Sequence, residues 1–507
     1  MNRGAGMRMS DFLVRELGRR QVVLFFLFAT MLYILPLLLA DFPYIDDNWR
    51  TLAAGNVWAG QGRLFMDWLY KALTFTGAAP NIFPLPLLLA TLAMSLALTR
   101  LTFHYFPEPT LACCLVPLPL WYNPFLLQNL SYQYDGAGMA LSLVAVIYAI
   151  TFGGTSRIQR WLVPSVLLAL AIGLYQISLN VFLGLCCVEL LRAVHRRLPW
   201  AELWQLAGWK LAQLALGVSI YAVTAYPFTD STRTELLDFS ADPLLQISIN
   251  SGRVLEKVAL LFHGGYTAVF VVLLVCALFG GVKLGRQIRL RREPPAKALL
   301  LSFGCLLTLP LIVLLVPGMT LLFRDFNEGA RTLMGFGVLL MLLFYLACIG
   351  LTSLHSRLPL LLAIPLLATL SLSFAYGRVL TMEKTFASSA LYSLSHDISS
   401  HRELRDAKRI YMSVTYSDRW LASATGTFKQ LPVLRYLLNI DYFMLAENLP
   451  SAGITNVVAE RERRNATRVG YQGFPALVDS LYYRIYLIGD YGFIVMKEPP
   501  HGRLLQW

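Results

Sequence analysis

The residues best suited to chemistry follow the first long apolar run directly, in the stretch 41–50. It contains two adjacent carboxylates, Asp46 and Asp47, and then Arg50, with Arg63 further along. A carboxylate can take a proton from a hydroxyl nucleophile, and guanidinium groups bind phosphate through paired hydrogen bonds. The stretch therefore predicts an active site for transfer from a phosphate-linked donor. A helix N-cap with first-turn charge is the alternative explanation for the acidic pair.

The composition around this stretch is that of a protein embedded in a membrane. Of the 507 residues, 56% are apolar and only 14% are charged, which is unlike soluble domains. Apolar runs recur along the chain and predict a polytopic α-helical membrane protein with about 11 transmembrane helices. The predicted runs are 22–40, 82–99, 111–128, 136–152, 161–192, 209–227, 265–282, 298–316, 332–350 and 359–376.

The run 161–192 is predicted to hold two of these helices. Arginines lie directly before it and directly after it, and basic residues favour the cytoplasmic side. Because one crossing would place the two ends on opposite sides, we expect two short spans with Tyr175 and Gln176 at the outer apex. A polar turn at that depth is tolerated only where protein or a cavity surrounds it.

The basic residues also predict the orientation of the chain. Arg15, Arg19 and Arg20 precede the first apolar run, so the positive-inside rule places the N-terminus in the cytoplasm. The acidic pair then faces the outer side, in a first outer loop of about 41–80 that we call the acidic loop. Its spaced aromatic and aliphatic residues favour short amphipathic helices in the interface.

Two domains are predicted. Residues 1–376 form the transmembrane domain, and residues 377–507 have the composition of a globular domain on the outer side. Helical segments are expected near 384–398 and 430–448. Strands are predicted at 409–414, 483–488 and 493–497, the last two joined by a hairpin turn at 489–492. The second domain is therefore expected to be a small α/β cap over the outer face.

The cysteines and the net charge argue against other classes of protein. All seven cysteines lie inside apolar segments without metal-ligand or disulfide spacing, so we expect them to pack as small residues. The net charge of +13 comes largely from basic residues between apolar runs, as positive-inside loops require. No nucleic acid partner is indicated.

Four motifs resemble the Gtr-type (GtrII-like) glucosyltransferases that modify O-antigen. The order and spacing of the motifs match that family as well as their residues do. The family is similar in architecture to the GT-C class of membrane glycosyltransferases, which use polyprenyl-phosphate sugars and carry a catalytic acidic residue in the first outer loop. The motifs are YIDDNWR at 44–50, GQGR at 60–63, NLSYQYD at 129–135 and LYQISLN at 174–180.

The resemblance implies a glucosyl donor, undecaprenyl-phosphate glucose, and an acceptor sugar in the lipopolysaccharide O-antigen. It further implies a GT-C-like fold in the bacterial inner membrane, a periplasmic active site and inversion at the anomeric carbon. A separate synthase would make the donor and a flippase would present it. Neither a cofactor nor a metal is indicated by the residues, although some members of the wider class use a divalent metal.

We assign the site residues within this framework. Asp46 is the expected general base, and Asp47 orients it or the acceptor. The remaining expected substrate-binding residues are Arg50, Arg63, Tyr132, Asp135, Gln176 and Arg331, with the arginines at the donor phosphate. Structural alternatives exist for several of them: Arg63 can snorkel to lipid headgroups and Arg331 can contact them, Asp135 can cap a helix, and Tyr132 can belong to an interfacial aromatic belt.

Three other activities fit a protein of this class. Another sugar transferred to a different envelope glycan would need the same machinery. A sugar-lipid flippase or transporter would place ionisable residues at mid-membrane, where this sequence has few. An O-antigen polymerase is expected to carry a large, arginine-rich central outer loop, whereas this chain has an acidic first loop and a globular tail.

Overall fold

The fold is described from a computed structural model that covers residues 15–230, 235–238, 242–289, 294–417, 420–458, 471 and 473–498, without the side chains of 289, 295 and 296. It consists mainly of helices, separated by short 3₁₀ turns. The helices are α1 (Arg19–Ala40), α2 (Asp47–Ala53), α3 (Leu64–Thr74), α4 (Leu85–Tyr105), α5 (Leu111–Leu115), α6 (Leu126–Ser131), α7 (Gly136–Thr151), α8 (Arg157–Leu174), α9 (Ser178–His195), α10 (Trp200–Thr224), α11 (Pro243–Ala259), α12 (Gly265–Arg289), α13 (Pro295–Leu314), α14 (Phe336–Thr352), α15 (Ala363–Ser400), α16 (Arg402–Arg405), α17 (Thr425–Gln430) and α18 (Val433–Leu438).

Eight of the helices in the described residues are long and apolar enough to cross a membrane. They are α1, α4, α8, α9, α10, α12, α13 and α15. Three shorter apolar helices lie at the remaining predicted runs: α7, α14 and the segment Leu111–Leu120, which begins with α5. The membrane character expected from composition is therefore confirmed. Eleven crossings require the three short helices to span as well, and that number stays a prediction.

The long helices differ in how much of their surface is covered by protein. The apolar windows of α4 and α9 are 61% buried, whereas those of α10 and α13 are only 17% buried. A helix that is apolar all round and largely uncovered suits a lipid environment. We therefore place α4 and α9 at the centre of the bundle and α10 and α13 at its lipid-facing edge.

The acidic loop begins at a firmly held helix end. α1 packs along α15, where Gly377 lies so close to Pro36 that an added Cβ atom would overlap it. The ammonium group of Lys384 on α15 donates to the backbone carbonyls of Ala40 and Asp41. Since α1 ends at Ala40, these contacts fix the point from which the acidic loop starts.

The predicted break within 161–192 is confirmed. α8 ends at Leu174 and α9 begins at Ser178. The Ser178 hydroxyl donates to the Tyr175 carbonyl at 2.7 Å, which satisfies one of the backbone groups that the break leaves free. The turn lies at the same end of the bundle as the acidic loop.

The C-terminal part contains a four-stranded sheet in the order β1-β4-β3-β2. The strands are β1 (Arg409–Ser413), β2 (Val478–Asp479), β3 (Tyr483–Ile488) and β4 (Tyr491–Met496). β1 pairs parallel to β4, and β3 pairs antiparallel to β4 with Tyr486 opposite Phe493. The three predicted strands and their hairpin are therefore present, and the short strand β2 was not anticipated.

The two helices expected in this part differ from the prediction. The segment 384–398 is not a separate helix but belongs to α15, a single helix of 38 residues that passes through the predicted boundary at 376. The helix expected over 430–448 is wrong as a continuous element. α18 ends at Leu438 because Asn439 adopts a left-handed conformation with φ 46°, which stops an α-helix.

Candidate active site

The predicted site residues lie together at one end of the helix bundle, where four connecting segments meet. The segments are the acidic loop, the turn before α7, the turn between α8 and α9, and the loop before α14. Three contacts join these segments: the side chains of Arg63 and Asp135, the Gln176 amide and the Gln61 backbone carbonyl, and the side chains of Arg331 and Tyr132. Residues that are far apart in sequence thus share one site.

Asp135 is the central carboxylate of the site and is buried. Arg50 contacts it at 3.1 Å, Arg63 at 3.4 Å, and the Trp58 indole donates to it at 2.6 Å. Burial opposes its ionisation, but the arginines outweigh burial and lower the pKa of Asp135 below its usual value. Although Asp135 precedes α7, its side chain makes no capping bond, so capping does not explain it.

Arg50 is enclosed rather than open to a ligand. Its side chain is 1% exposed, and its guanidinium lies 5.0 Å from the Trp58 ring centroid and 5.8 Å from that of Tyr134. Asp135 compensates its charge. The geometry suits a residue that holds α2 against the segment before α7.

Asp47 is fully buried and its oxygens are engaged by the backbone. It accepts hydrogen bonds from the backbone N–H groups of Tyr44 at 2.8 Å, Gln133 at 2.9 Å and Tyr134 at 3.3 Å. Burial raises the pKa of Asp47 to about 7, because the effect of burial is larger than the opposite effect of these N–H groups. Asp47 therefore joins the acidic loop to the turn before α7.

Asp46 has the opposite surroundings. It is half-buried, and among the described residues no hydrogen bond or ion pair engages its carboxylate. It occupies the N-cap position of α2 without a side-chain capping bond, so the cap explanation does not account for its side chain. Its charge acts on Tyr132, Arg331 and Tyr442. It is the accessible member of the acidic pair.

Hydrogen bonds to both the backbone and the side chain of Arg331 hold this residue in position. Gln128 accepts its backbone N–H at 2.6 Å, and Asn129 donates to its carbonyl at 3.1 Å. Its guanidinium donates to the Tyr132 hydroxyl at 2.6 Å. No carboxylate of the described residues lies within ion-pair distance of Arg331, which leaves this cation available to an anionic group.

The GQGR motif forms a tight turn beside Gln176. Gly62 has φ 69°, and a Cβ atom there would meet the Tyr221 hydroxyl and Thr229, so the turn requires glycine. The Gln176 amide donates to the Gln61 carbonyl at 2.7 Å. Next in sequence, the Arg63 side chain is 17% exposed and stands 4.8 Å from the centroid of the Tyr175 ring, which the guanidinium covers.

Sequence reasoning missed several residues of the site. Trp58 binds Asp135, and Tyr175 stacks with Arg63 and donates to the Arg331 carbonyl. Tyr44 donates to the carbonyls of Leu437 and Leu438, which belong to α18. Tyr44 and Tyr175 lie inside the motifs noted above, so the motifs were a usable signal for them. Nothing in the sequence indicated that α18 meets the acidic loop.

A metal site is not evident from the residues that the structure describes. They contain no group of three or more histidine, cysteine, aspartate or glutamate side chains that could hold a metal ion. Glucosyl transfer without a metal therefore stays an expectation.

Comparison with known proteins shows which family the chain belongs to. The family model described as glucosyl transferase GtrII matches residues 35–342, which is more than half of the chain. The chain belongs to the GtrII glucosyl transferase family. All eight residues predicted for the site, from Asp46 to Arg331, lie inside the matched region, and the sheet-containing C-terminal part lies outside it.

One relative of this GtrII family chain comes from Salmonella phage P22. It is an uncharacterized 55.3 kDa protein in the gtrB 5' region, 29% identical over 157 residues. The match covers 31% of this chain and 32% of the relative, so it spans only about a third of the relative's length. No solved structure matches the chain.

Proposed function

We propose that the chain transfers a glucosyl residue from undecaprenyl-phosphate glucose to a sugar of the lipopolysaccharide O-antigen. Membership in the GtrII glucosyl transferase family supports this class of reaction. The observation that carries the mechanism is that the charge of Asp46, an accessible carboxylate, acts on Arg331, a cation with no carboxylate partner in the described residues. A base and a phosphate-binding cation are the two groups that such a transfer needs.

The proposed reaction is a single displacement. The acceptor hydroxyl oxygen forms a bond to the anomeric carbon of glucose while the bond from that carbon to the phosphate oxygen breaks. Asp46 takes the hydroxyl proton, and the electron pair leaves with undecaprenyl phosphate. Because the nucleophile enters opposite the leaving group, the configuration at the anomeric carbon inverts. Asp46 suits the role of base since no described group occupies its carboxylate.

Arg331 and Arg63 are the proposed ligands of the donor phosphate. Both guanidinium groups lie beside aromatic rings that limit their motion, Tyr132 for Arg331 and Tyr175 for Arg63. Fixed cations of this kind stabilise charge that develops on a leaving group. Arg50 was expected in the same role, but its burial leads us to assign it to the scaffold of the site.

The remaining residues have positioning or binding roles in this proposal. Asp47 and Asp135 hold the acidic loop against the turn before α7, through backbone N–H groups and through arginines respectively. Tyr132 orients the Arg331 guanidinium. Gln176 holds the GQGR turn, next to Arg63, through its bond to the Gln61 carbonyl.

The proposal includes a cellular setting. The chain would cross the bacterial inner membrane about eleven times, with a cytoplasmic N-terminus and with the site and the C-terminal domain in the periplasm. No ATP is available on that side, so the energy comes from the glycosyl phosphate bond of the donor. The chain would then depend on a synthase and a flippase that deliver the lipid-linked glucose.

The choice of donor can be tested with the purified full-length chain in detergent. Undecaprenyl-phosphate glucose and a glucose nucleotide are each offered together with O-antigen polysaccharide. We expect transfer from the lipid-linked sugar alone, with the anomeric configuration of the product, measured by NMR coupling constants, opposite to that of the donor. Transfer from the nucleotide sugar, or retention of configuration, would contradict the proposed mechanism.

A further inference from the structure

A second group of polar side chains faces Asp46 from the C-terminal part of the chain. Tyr442 follows α18, and the charges that act on its phenol are those of Asp46, Glu383 and Glu447. Glu383 lies on α15 and Glu447 in the 3₁₀ turn Ala446–Ala452. We call Tyr442, Glu383 and Glu447 the Tyr442 cluster. No residue of this cluster has a role in the mechanism above.

Packing contacts fix the cluster beside the site. The ring of Phe443, the residue after Tyr442, lies 4.8 Å from the ring of Phe386 on α15. Phe386 and Glu383 are three residues apart and share one helix face. The turn Ala446–Ala452 contacts both α2 and α15. The chain from Tyr442 to this turn is therefore held between the helix that follows Asp46 and the helix that carries Glu383.

The carboxylates of the cluster lack partners among the residues that the structure describes. Glu383 is only 7% exposed, and no described residue makes a hydrogen bond or ion pair with it. The Oε2 atom of Glu447 is buried and likewise has no hydrogen-bond partner among the described residues. Buried polar groups without partners are costly and uncommon in native proteins. The buried Glu447 oxygen and the unpaired Glu383 carboxylate, both beside the site, indicate that a ligand supplies the missing hydrogen bonds.

The chemistry of the cluster defines the class of ligand. Carboxylates accept hydrogen bonds from hydroxyl groups but repel phosphate, so the donor phosphate does not belong here. An aromatic ring with flanking acceptors suits a neutral sugar, which offers several hydroxyl donors. Among the groups whose charge acts on Tyr442 is Asp46, the base proposed for the acceptor hydroxyl.

We infer that the Tyr442 cluster is the subsite for the acceptor sugar. In it, Glu383 and Glu447 accept hydrogen bonds from hydroxyl groups of a neutral hexose, and Tyr442 lies between that sugar and Asp46. This inference rests on the proposed glucosyl transfer and gives the C-terminal domain a part in it. A site that hydrogen-bonds a substrate hydroxyl discriminates strongly against an analogue without it, so these residues would determine acceptor specificity.

The test uses the purified full-length chain, undecaprenyl-phosphate glucose and O-antigen polysaccharide as the acceptor. Glu383→Ala and Glu447→Ala are compared with wild type, and Glu403→Ala, which alters an exposed carboxylate of the same domain, is the matched control. We expect each of the first two to raise the acceptor KM about tenfold, the loss typical of one hydrogen bond to a charged group. The kcat and the donor KM should remain near wild-type values.

The outcomes separate the inference from the proposed function. If wild type transfers glucose and the acceptor KM of Glu383→Ala equals that of the control, the acceptor subsite is wrong and the transferase stands. A fall in kcat with an unchanged acceptor KM would also overturn the subsite. If wild type transfers nothing, the proposed function itself fails. Glu383→Gln keeps the size of the side chain, and we expect it to raise the acceptor KM less than Glu383→Ala does. This variant keeps the test possible if Glu383→Ala does not fold.

Discussion

At the residue scale, the site depends on how a few buried charges are distributed. Asp135 forms ion pairs with Arg50 and Arg63, whereas Asp46 and Arg331 keep their charges free of ion pairs within the described residues. This division separates scaffold from reactive groups. It predicts that substitutions at the two kinds of position have different consequences.

Replacement of Asp135 should affect stability first. In Asp135→Asn the Arg50 guanidinium stays buried without a counter-charge, which costs about 3–5 kcal/mol for a broken buried ion pair. The expected result is a lower thermal unfolding midpoint for the purified protein in detergent. Asp46→Asn is the control, and its midpoint should match wild type because no described group bonds to Asp46. Equal midpoints for all three proteins would contradict the assigned roles.

The pKa of Asp47 predicts a dependence of stability on pH. Burial raises this pKa from the ordinary 3.8 to about 7, so between these values the folded chain binds the proton more tightly than the unfolded chain does. The contribution to the free energy of unfolding should therefore fall as pH rises through this window. Asp47→Asn does not titrate, so it should remove that part of the slope. The measurement is the difference in unfolding midpoint between wild type and variant across the window, and a constant difference would contradict the prediction.

Only part of this residue-scale division was predictable. The motifs contain Asp46, Asp47 and Asp135, and acidic side chains at a membrane boundary are unusual in themselves, whereas Arg331 lies outside all four motifs. They could not reveal that Asp46 is accessible and Asp47 is bonded to the backbone. Adjacent residues at the start of α2 point in different directions, and the segment that covers Asp47 lies more than eighty residues away in the chain.

At the element scale, α15 connects the membrane part to the C-terminal domain. It packs on α1 through Gly377, carries Glu383 beside the site, and reaches the core beneath the sheet through Leu394 and Ile398. A continuous helix of this length transmits position as a rigid element. Its continuity should therefore matter for activity.

A proline on the exposed side of α15 tests this role. Ser389→Pro removes a backbone donor in the helix interior and costs about 3 kcal/mol or more with a kink, whereas Ser389→Ala favours the helix. We expect the proline variant to reach the membrane but to lose most of its transfer activity, because the C-terminal domain no longer meets the acidic loop. Full activity of a stably inserted proline variant would show that α15 need not be continuous.

The sequence predicted where a helix is interrupted better than it predicted how far a helix extends. The turn at Tyr175 and Gln176 followed from arginines at both ends of one apolar run. The extension of α15 beyond residue 376 did not follow, since its second half is mostly polar and receives its apolar partners from the C-terminal core. The end of α18 depends on the conformation of a single residue, Asn439, which composition does not encode.

At the scale of the whole molecule, the proposal requires that the two ends of the bundle face different compartments. The acidic loop and the site lie at one end, and the turn between α14 and α15 lies at the other. The positions of the basic residues and the apolar runs predict this arrangement, because the membrane restricts a chain to alternating crossings.

Thiol labelling in intact cells tests the orientation. Gly77 in the acidic loop and His355 between α14 and α15 are both exposed, so cysteine at either position should be reactive. A membrane-impermeant reagent added from the periplasm should label Gly77→Cys but should label His355→Cys only after the membrane is permeabilised. The unsubstituted chain gives the background from its own cysteines. The reverse pattern would invert the proposed topology and remove the site from the periplasm.

The central claim is that the chain adds glucose to O-antigen with Asp46 as the base, and the mass of the O-antigen repeat units tests it most directly. Cells that supply the donor synthase and flippase express wild type, Asp46→Asn or Asp406→Asn, an exposed control, at matched membrane levels. We predict one added hexose per modified repeat with wild type and control, and a loss of about 10²-fold or more with Asp46→Asn, as removal of a general base entails. Equal addition by all three would exclude Asp46 from the mechanism, and no addition by wild type in a host with its own acceptor would contradict glucosyl transfer to O-antigen.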